Sequence, residues 1–367
     1  MVQGPNDVFV EGLPVLRLAR VARVDVERVN GASPALVIGR RGAWALFERT
    51  QRELRELDPD GIEQIRRTLT PALDGARIVD LAPLRLVGQA ADHISMVGED
   101  GETARLEHEP WTRHGGTEVA IDEAGVVWCA VPDRAELEAA ESRSPRGRSG
   151  CPGRLVRWDS ASGEILDDRP LCDLAALGYQ LIVHPTDGSA AVSASFGSER
   201  RSWFCESLAD GGALRSVDID EPVGMSPSGH ALLSLGGVDR TVHLDPRWGW
   251  ASRPLLRVRR WPDLGLLEDV ADDAVLTAGT ALDRGRDGFF DATFLSDRTV
   301  LVESALGRLL VVDCTRQEVV GQLDLGYELG GGDRRFGGAD LLTPDRLLTH
   351  DYDACYDIWQ LPPELTA

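Results

Sequence analysis

Lysine is absent from this chain, and all 39 of its basic side chains are arginine. That absence removes whole classes of chemistry. A Schiff-base enzyme needs a lysine amine. A P-loop NTPase needs the lysine of its phosphate loop, and a protein kinase needs its strand lysine. Serine–lysine hydrolases are excluded on the same ground. Asparagine is nearly absent, at Asn6 and Asn30 alone. Together with the Ala, Arg, Gly, Leu and Val bias, this points by association to a GC-rich bacterial coding sequence of actinobacterial type. No stretch approaches 18 uninterrupted apolar residues, so no membrane span is expected. Met1 to Val10 lacks a basic region followed by an apolar run, so no signal peptide is expected and the cytoplasm is the expected location. The six cysteines lie 21 or more residues apart with no C-x-x-C. They read as reduced, mostly buried thiols.

Positive charge is also short: 39 bases face 60 acids, a net charge of −21. Such a surface repels phosphate, so nucleic acid is not an expected partner. At 367 residues and 43% hydrophobic, the chain can bury a sizeable core.

The positive signal is a recurring unit of apolar strand, tight polar turn and second apolar strand. Turns recur near 125, 188, 229, 297 and 345, in Asp-Glu-Ala-Gly125, His-Pro-Thr-Asp-Gly188, Ser-Pro-Ser-Gly229, Ser-Asp-Arg298 and Thr-Pro-Asp-Arg346. Proline presets φ at the second turn position, and Asp or Gly tolerates the bend after it. A second pair comes after some hairpins, as in Leu155–Asp159 through Gly163 to Leu166, and Leu309–Asp313 to Val320. Four strands per unit is the pattern of a radial repeat. The N-terminal third is less regular. Its strands at 35–38, 43–47, 77–79 and 94–97 supply two further units, giving a count of seven, with six or eight as alternatives.

These residues resemble the WD40-like β-propellers, in a bacterial form. The last unit carries the best match, Asp351-Tyr-Asp353-Ala-Cys355-Tyr-Asp-Ile-Trp359-Gln360, and Trp158-Asp159 before Ser162-Gly163 is the second. The resemblance implies that Asp353 satisfies backbone N–H groups in a turn and that Trp359 ends a third strand. Gln360 stands where the family usually has Asp, and no Gly-His opens a unit. The expected fold is all-β: a single closed propeller over 1–367, of seven four-stranded blades. Closure is expected from an N-terminal strand, Val8–Val10 or Leu13–Leu18, pairing with the last blade.

Two segments break the pattern. Leu54, Leu57, Ile62, Ile65, Leu69 and Leu73 recur every three to five residues, which predicts a helical insertion over 48–73. Residues 132–153 are polar and rich in Arg and Pro, which predicts a mobile surface loop.

Motifs for catalysis are missing. There is no G-x-S-x-G and no H-E-x-x-H, and the run 330–332 lacks the setting of a dinucleotide loop. If the chain is an enzyme, its site should be at a channel mouth, where the first strand of each unit begins. Glu118, Glu221 and Asp291 stand near such starts, with His114 beside them. Convergent carboxylates there can bind a hard cation such as Ca²⁺ or serve as acid and base. Solvated surface acids are the alternative, and a second acidic run, Asp283, Asp287 and Asp291, reads as a surface loop. Arg- and Trp-bearing segments offer anchors for a protein or peptide: Trp111, Arg113, Arg201, Trp203, Trp248, Trp250 and Arg260. Some of these Trp can instead pack between blades. The sequence therefore leans to a non-catalytic scaffold binding a protein or peptide through loops at one mouth, with no cofactor. The alternative is a propeller hydrolase, lyase or cyclase of secondary metabolism acting on a small molecule.

Overall fold

The computed structural model describes residues 12–26, 35–38, 44–48, 53–68, 77–81, 84–89, 93–98, 101–107, 118–132, 151–176, 178–196, 199–219, 221–236, 255–264, 266–270, 289–304, 309–316, 318–325, 336–351 and 355–366. The described secondary structure is strand throughout, apart from one four-residue helix, α1 (Pro363–Thr366). Two compact units divide the chain, one of residues 1–68 and 223–367, the other of residues 69–222.

In the first unit, β1 (Val15–Arg17) and β2 (Ala19–Asp25) precede a four-stranded antiparallel meander. That meander is β3 (Ala35–Ile38), β4 (Trp44–Glu48), β5 (Glu53–Leu57) and β6 (Glu63–Thr68). The second unit holds three such meanders. They are β7 (Arg77–Leu81) to β10 (Gly101–Glu107), with β8 (Leu84–Gln89) and β9 (His93–Gly98) between; β11 (Glu118–Ile121), β12 (Val126–Pro132), β13 (Cys151–Asp159) and β14 (Ile165–Ala176); and β15 (Gly178–Val183), β16 (Ala190–Phe196), β17 (Glu199–Cys205) and β18 (Leu214–Val217). At the boundary, β19 (Glu221–Met225) leads into β20 (Ala231–Gly236), β21 (Leu255–Arg260) and β22 (Leu266–Val270). The first unit then continues with β23 (Phe289–Phe294), β24 (Thr299–Ser304), β25 (Leu309–Asp313) and β26 (Glu318–Asp324), and with β27 (Phe336–Thr343), β28 (Arg346–Asp351) and β29 (Cys355–Gln360).

The cores lie between neighbouring sheets. In the second unit, Met96 packs with Val127, Val131 and Trp158, and Trp128 and Leu155 pack with Val192 and Trp203. In the first unit, Leu233 and Val258 meet Val300 and Val312, Val311 and Leu323 meet Leu347 and Trp359, and Trp44 and Leu57 meet Tyr356 and Ile358. Burial falls outward along a meander. The second strand β16 is buried over Ala190–Ala194, whereas the outer strands β6 and β18 are largely exposed. Apolar side chains on both faces of the second strands suit strands that are covered on both sides.

Several expectations are corrected. The expected seven four-stranded blades are six four-stranded sheets and one five-stranded sheet, and no sheet closes on itself. Within the expected helix over 48–73, the described residues 53–68 form a hairpin, β5 and β6. Leu57 pairs with Trp44 and Leu54 with Phe47. Those partners lie three apart, so they point to opposite faces of a sheet, and all four are buried. Burial on both faces thus mimics a helical spacing. Asp58 to Gly61 makes the hairpin turn: Asp58 Oδ1 accepts from the N–H of Asp60 and of Ile62, and Gly61 adopts a φ of 79°. A side chain at Gly61 would also press on Ile358 and Ala22.

The last sheet takes its fourth strand from Ala19–Asp25, antiparallel to β29, and not from Leu13–Leu18, while Val8–Val10 lie outside the described residues. The segment before it joins the neighbouring sheet: β1 pairs in parallel with β26 and makes the fifth strand. Of the expected mobile loop over 132–153, Pro132 ends β12 and Cys151–Gly153 open β13, while 133–150 lie outside the described residues. No described helix is long and apolar enough to cross a membrane.

Candidate functional site

Each meander has two ends, and they are built differently. At one end, tight turns join first and second strands. In the β11–β12 turn, Asp122 accepts from the Val126 N–H at 2.9 Å and from the Trp128 indole at 3.2 Å, and Gly125 adopts a φ of 85°. In the β15–β16 turn, His184 Nδ1 accepts from the Asp187 N–H at 3.0 Å, and Asp187 Oδ1 accepts from the Ser189 N–H at 2.8 Å. His, Asp and Ser stand together here, yet this is not the wiring of a nucleophilic triad. Ser189 donates its hydroxyl to Asp187, and the imidazole nitrogen that faces them is occupied by backbone donors.

These turns also bond across sheets. The Glu123 N–H donates to the Pro185 carbonyl at 2.8 Å, the Ser228 N–H to Asp297 Oδ1 at 3.0 Å, and Arg346 Nε to Asp60 Oδ1 at 2.9 Å. Hydrogen bonds from Thr343 and Gln360, with Arg346 alongside, hold the Asp345 carboxyl below the usual carboxylate range. The turn end is thus a rim of polar groups committed to backbone and to one another.

The other end is where first strands begin. Glu118 opens β11 and pairs with Ala130. Glu221 opens β19, and Asp291 is the third residue of β23, opposite Glu303. Among the described residues no group of three or more His, Cys, Asp or Glu is placed to hold a metal ion. His114, Trp111, Arg113, Trp248 and Trp250 lie outside the described residues, as do Asp283, Asp287 and Asp353.

The three remaining anchors separate. Trp203 is corrected: it is 7% exposed and packs with Trp128 and Val192 between two sheets. It is a core residue. Arg201 and Arg260 are both exposed, but at opposite ends of their own sheets. Arg201 pairs with Ala194, near where β15 begins, whereas Arg260 pairs with Ala231 beside the turn rim and bridges Asp263 at 3.2 Å.

Sequence reasoning missed Arg157. It is fully buried, lies 4.9 Å from the centre of the Trp128 ring, pairs with Asp167 and donates to the Glu206 carbonyl at 2.9 Å. It ties the β11–β14 sheet to the β15–β18 sheet. A side chain at Gly212 would collide with its guanidinium, a constraint that only the fold reveals. Burial also pushes the Cys129 thiol, beside Trp158, up to about 12.

No family model matches the sequence, and no curated protein matches it. Solved structures do. The Neurospora crassa Pan2 WD40 domain is similar over 94% of this chain and 95% of that one, with a TM-score of 0.57 at 9% identity. The fold is a WD40-like β-propeller. Kuenenia stuttgartiensis hydrazine synthase is similar to the same degree, with a TM-score of 0.57 at 9% identity over 92% of this chain and 97% of that one. Two such different proteins on one fold leave function to the site. In this propeller, Trp158 and Trp359 both stand near the end of a third strand, the position that the resemblance assigned to Trp359.

Proposed function

We propose that the chain is a non-catalytic cytoplasmic scaffold that binds a protein or peptide partner at the end of its sheets where first strands begin. The observation that carries this reading is an exposed guanidinium, that of Arg201, near the end where first strands begin. At the turn end, Asp122, His184, Asp187, Asp297 and Asp345 are committed to backbone and neighbouring turns. Arg201, exposed near the opposite end, has the donor fork suited to a carboxylate or backbone carbonyl. The test compares Arg201→Glu with Arg260→Glu in affinity capture from the native host, read by mass spectrometry. Arg201→Glu should lose the partner and Arg260→Glu should keep it. The reverse pattern, or no change in either, overturns the reading.

A second reading, catalysis or cation binding by Glu118, Glu221 and Asp291, draws its support from their shared place on first strands. If they hold Ca²⁺, added Ca²⁺ raises the melting temperature by mass action, and alanine at any one of them removes that shift. Identical melting curves with Ca²⁺ and with chelator rule it out.

A further inference from the structure

We propose that the outer edge of β26 is a peptide-binding groove which residues 13–18 of the chain occupy in cis, and that a partner segment of the pattern Leu-Pro-x-Leu-Arg-Leu takes the same place in parallel register. This site is separate from the end where first strands begin, and either can fail without the other.

The edge is built to receive a strand. Outer strands elsewhere in the propeller, such as β6 and β18, are mostly exposed, whereas Val319, Gly321, Gln322 and Leu323 of β26 are buried. The pairing that covers them is short, Val15 with Gln322, Leu16 with Leu323 and Arg17 with Asp324. Each occupant residue meets a matching feature. The Gln322 N–H donates to the Pro14 carbonyl at 2.9 Å, and the Gln322 amide nitrogen, on a residue 2% exposed, donates to the Leu13 carbonyl at 3.3 Å. Gly321 leaves room for Leu16, because a Cβ there would stand 3.2 Å from Leu16 Cδ1. Leu16 and Leu18 pack against the cluster of Val311, Leu323 and Trp359, and Leu13 against that of Val302 and Val312. Asp324 Oδ2 accepts from Arg17 Nε at 3.1 Å. The groove thus reads three leucines at fixed spacing, two carbonyls and one arginine, as strand-addition sites do with main-chain bonds and alternate side-chain pockets.

The occupant is held lightly. Val15 is 44% exposed, and the Arg17 side chain is 85% exposed. An exposed ion pair of this kind contributes little, so the three leucines and the carbonyl hydrogen bonds are what a competing strand must replace. The next strand, β2, is secured separately along β29, so residues 13–18 can leave while the last sheet stays complete.

The experiment uses the full chain and a fluorescein-labelled peptide with the sequence of residues 12–18. Binding is read by fluorescence anisotropy, with circular dichroism as the check on folding. A chain carrying Leu16→Asp and Arg17→Glu should bind the peptide at least about tenfold tighter than the unaltered chain. Adding Asp324→Arg to that variant should abolish binding, and a scrambled peptide should not bind. Should the double variant not fold, Arg17→Ala alone and hydrogen exchange on the unaltered chain replace it. The Leu18 and Gln322 amides should then exchange faster than those of β24 and β25, and the added peptide should slow them in the Arg17→Ala chain. Equal affinity for altered and unaltered chains, no binding to either, indifference to Asp324→Arg, or equal protection of those amides would overturn the proposal. So would an unaltered chain that is a dimer broken by Leu16→Asp, since the occupant would then be a second copy.

Discussion

The β11–β14 sheet and the last sheet both carry a buried tryptophan near the end of their third strand, and the two solve the surroundings differently. Trp158 is followed by Asp159, whose Oδ1 accepts from the N–H of Ala161 at 2.7 Å and of Ser162 at 2.8 Å. Those two bonds hold its carboxyl below the usual carboxylate range. Trp359 is followed by Gln360, whose amide nitrogen reaches the carbonyls of Asp345 and Leu361 and whose oxygen accepts from Arg346. The reason is topological. After β13 the chain must turn back into β14, and the turn leaves backbone donors that a short carboxylate satisfies. After β29 no fourth strand comes next in sequence, because β2 fills that place, so there is no turn to cap. The indoles differ as well. Trp359 Nε1 donates to the Thr349 hydroxyl at 2.8 Å, while Trp158 faces the Cys129 thiol. In the last sheet the departure from the Trp-Asp pair thus coincides with the place where the chain leaves the sheet.

The largest effect should come from Trp359→Ala or Trp158→Ala. Each removes a side chain at most 2% exposed and should cost roughly 3–5 kcal/mol in denaturant unfolding. An unchanged melting temperature for either would break the equivalence of the two positions.

Next is the alkaline limb at Cys129. Its folded-state pKa, about 12, lies above the ordinary thiol value of 9.0. The neutral thiol's stability is thus full below the unfolded value and is lost as pH rises from about 9 towards 12. The slope is about 1.4 kcal/mol per pH unit for one proton. Lysine, which would otherwise titrate in this range, is absent. Unfolding measured between pH 8 and 11 should show the slope, and Cys129→Ala should lessen it, the remainder coming from Cys205, whose thiol is also pushed up by burial.

Thr349→Val isolates the indole partner of Trp359. It removes the hydroxyl that accepts from the buried indole and should cost about 1–3 kcal/mol by chemical denaturation. Asp159→Ala should cost about 1 kcal/mol, as loss of a capping side chain does, while Gln360→Asp should gain nothing because no turn comes after it. A gain at Gln360 comparable with the loss at Asp159 would refute the topological explanation.

The turns were legible because their chemistry is local. Gly125, Gly188 and Gly229 adopt φ values of 85°, 69° and 76°, and each closes a motif of Asp or Pro that the sequence displays. The β5–β6 hairpin was not legible, because Leu54 and Leu57 are buried on opposite faces at a spacing that a helix shares. Asp58-Pro-Asp-Gly61 carried the competing turn signal. Trp203 could not be assigned from sequence, since an aromatic residue in a strand looks the same facing a partner or a neighbouring sheet. A three-residue parallel strand such as β1 has too few positions for any periodicity. As for the candidate site, Arg201 and Arg260 look equivalent in sequence, and strand pairing alone shows that they lie at opposite ends of their sheets.

The pairing of Arg17 with Asp324 spans 307 residues, and it bears on synthesis as well as on stability. Strands β1 and β2 leave the ribosome well before β26 and β29 and find their partners only when those have emerged. At about 5–20 residues per second, that is a wait of roughly 15–60 s. For that interval the leucines and valines of residues 13–24 are exposed and unpaired, and the two sheets that finish last stand incomplete. The segment that completes these two sheets is thus the one that a nascent-chain chaperone has longest to meet.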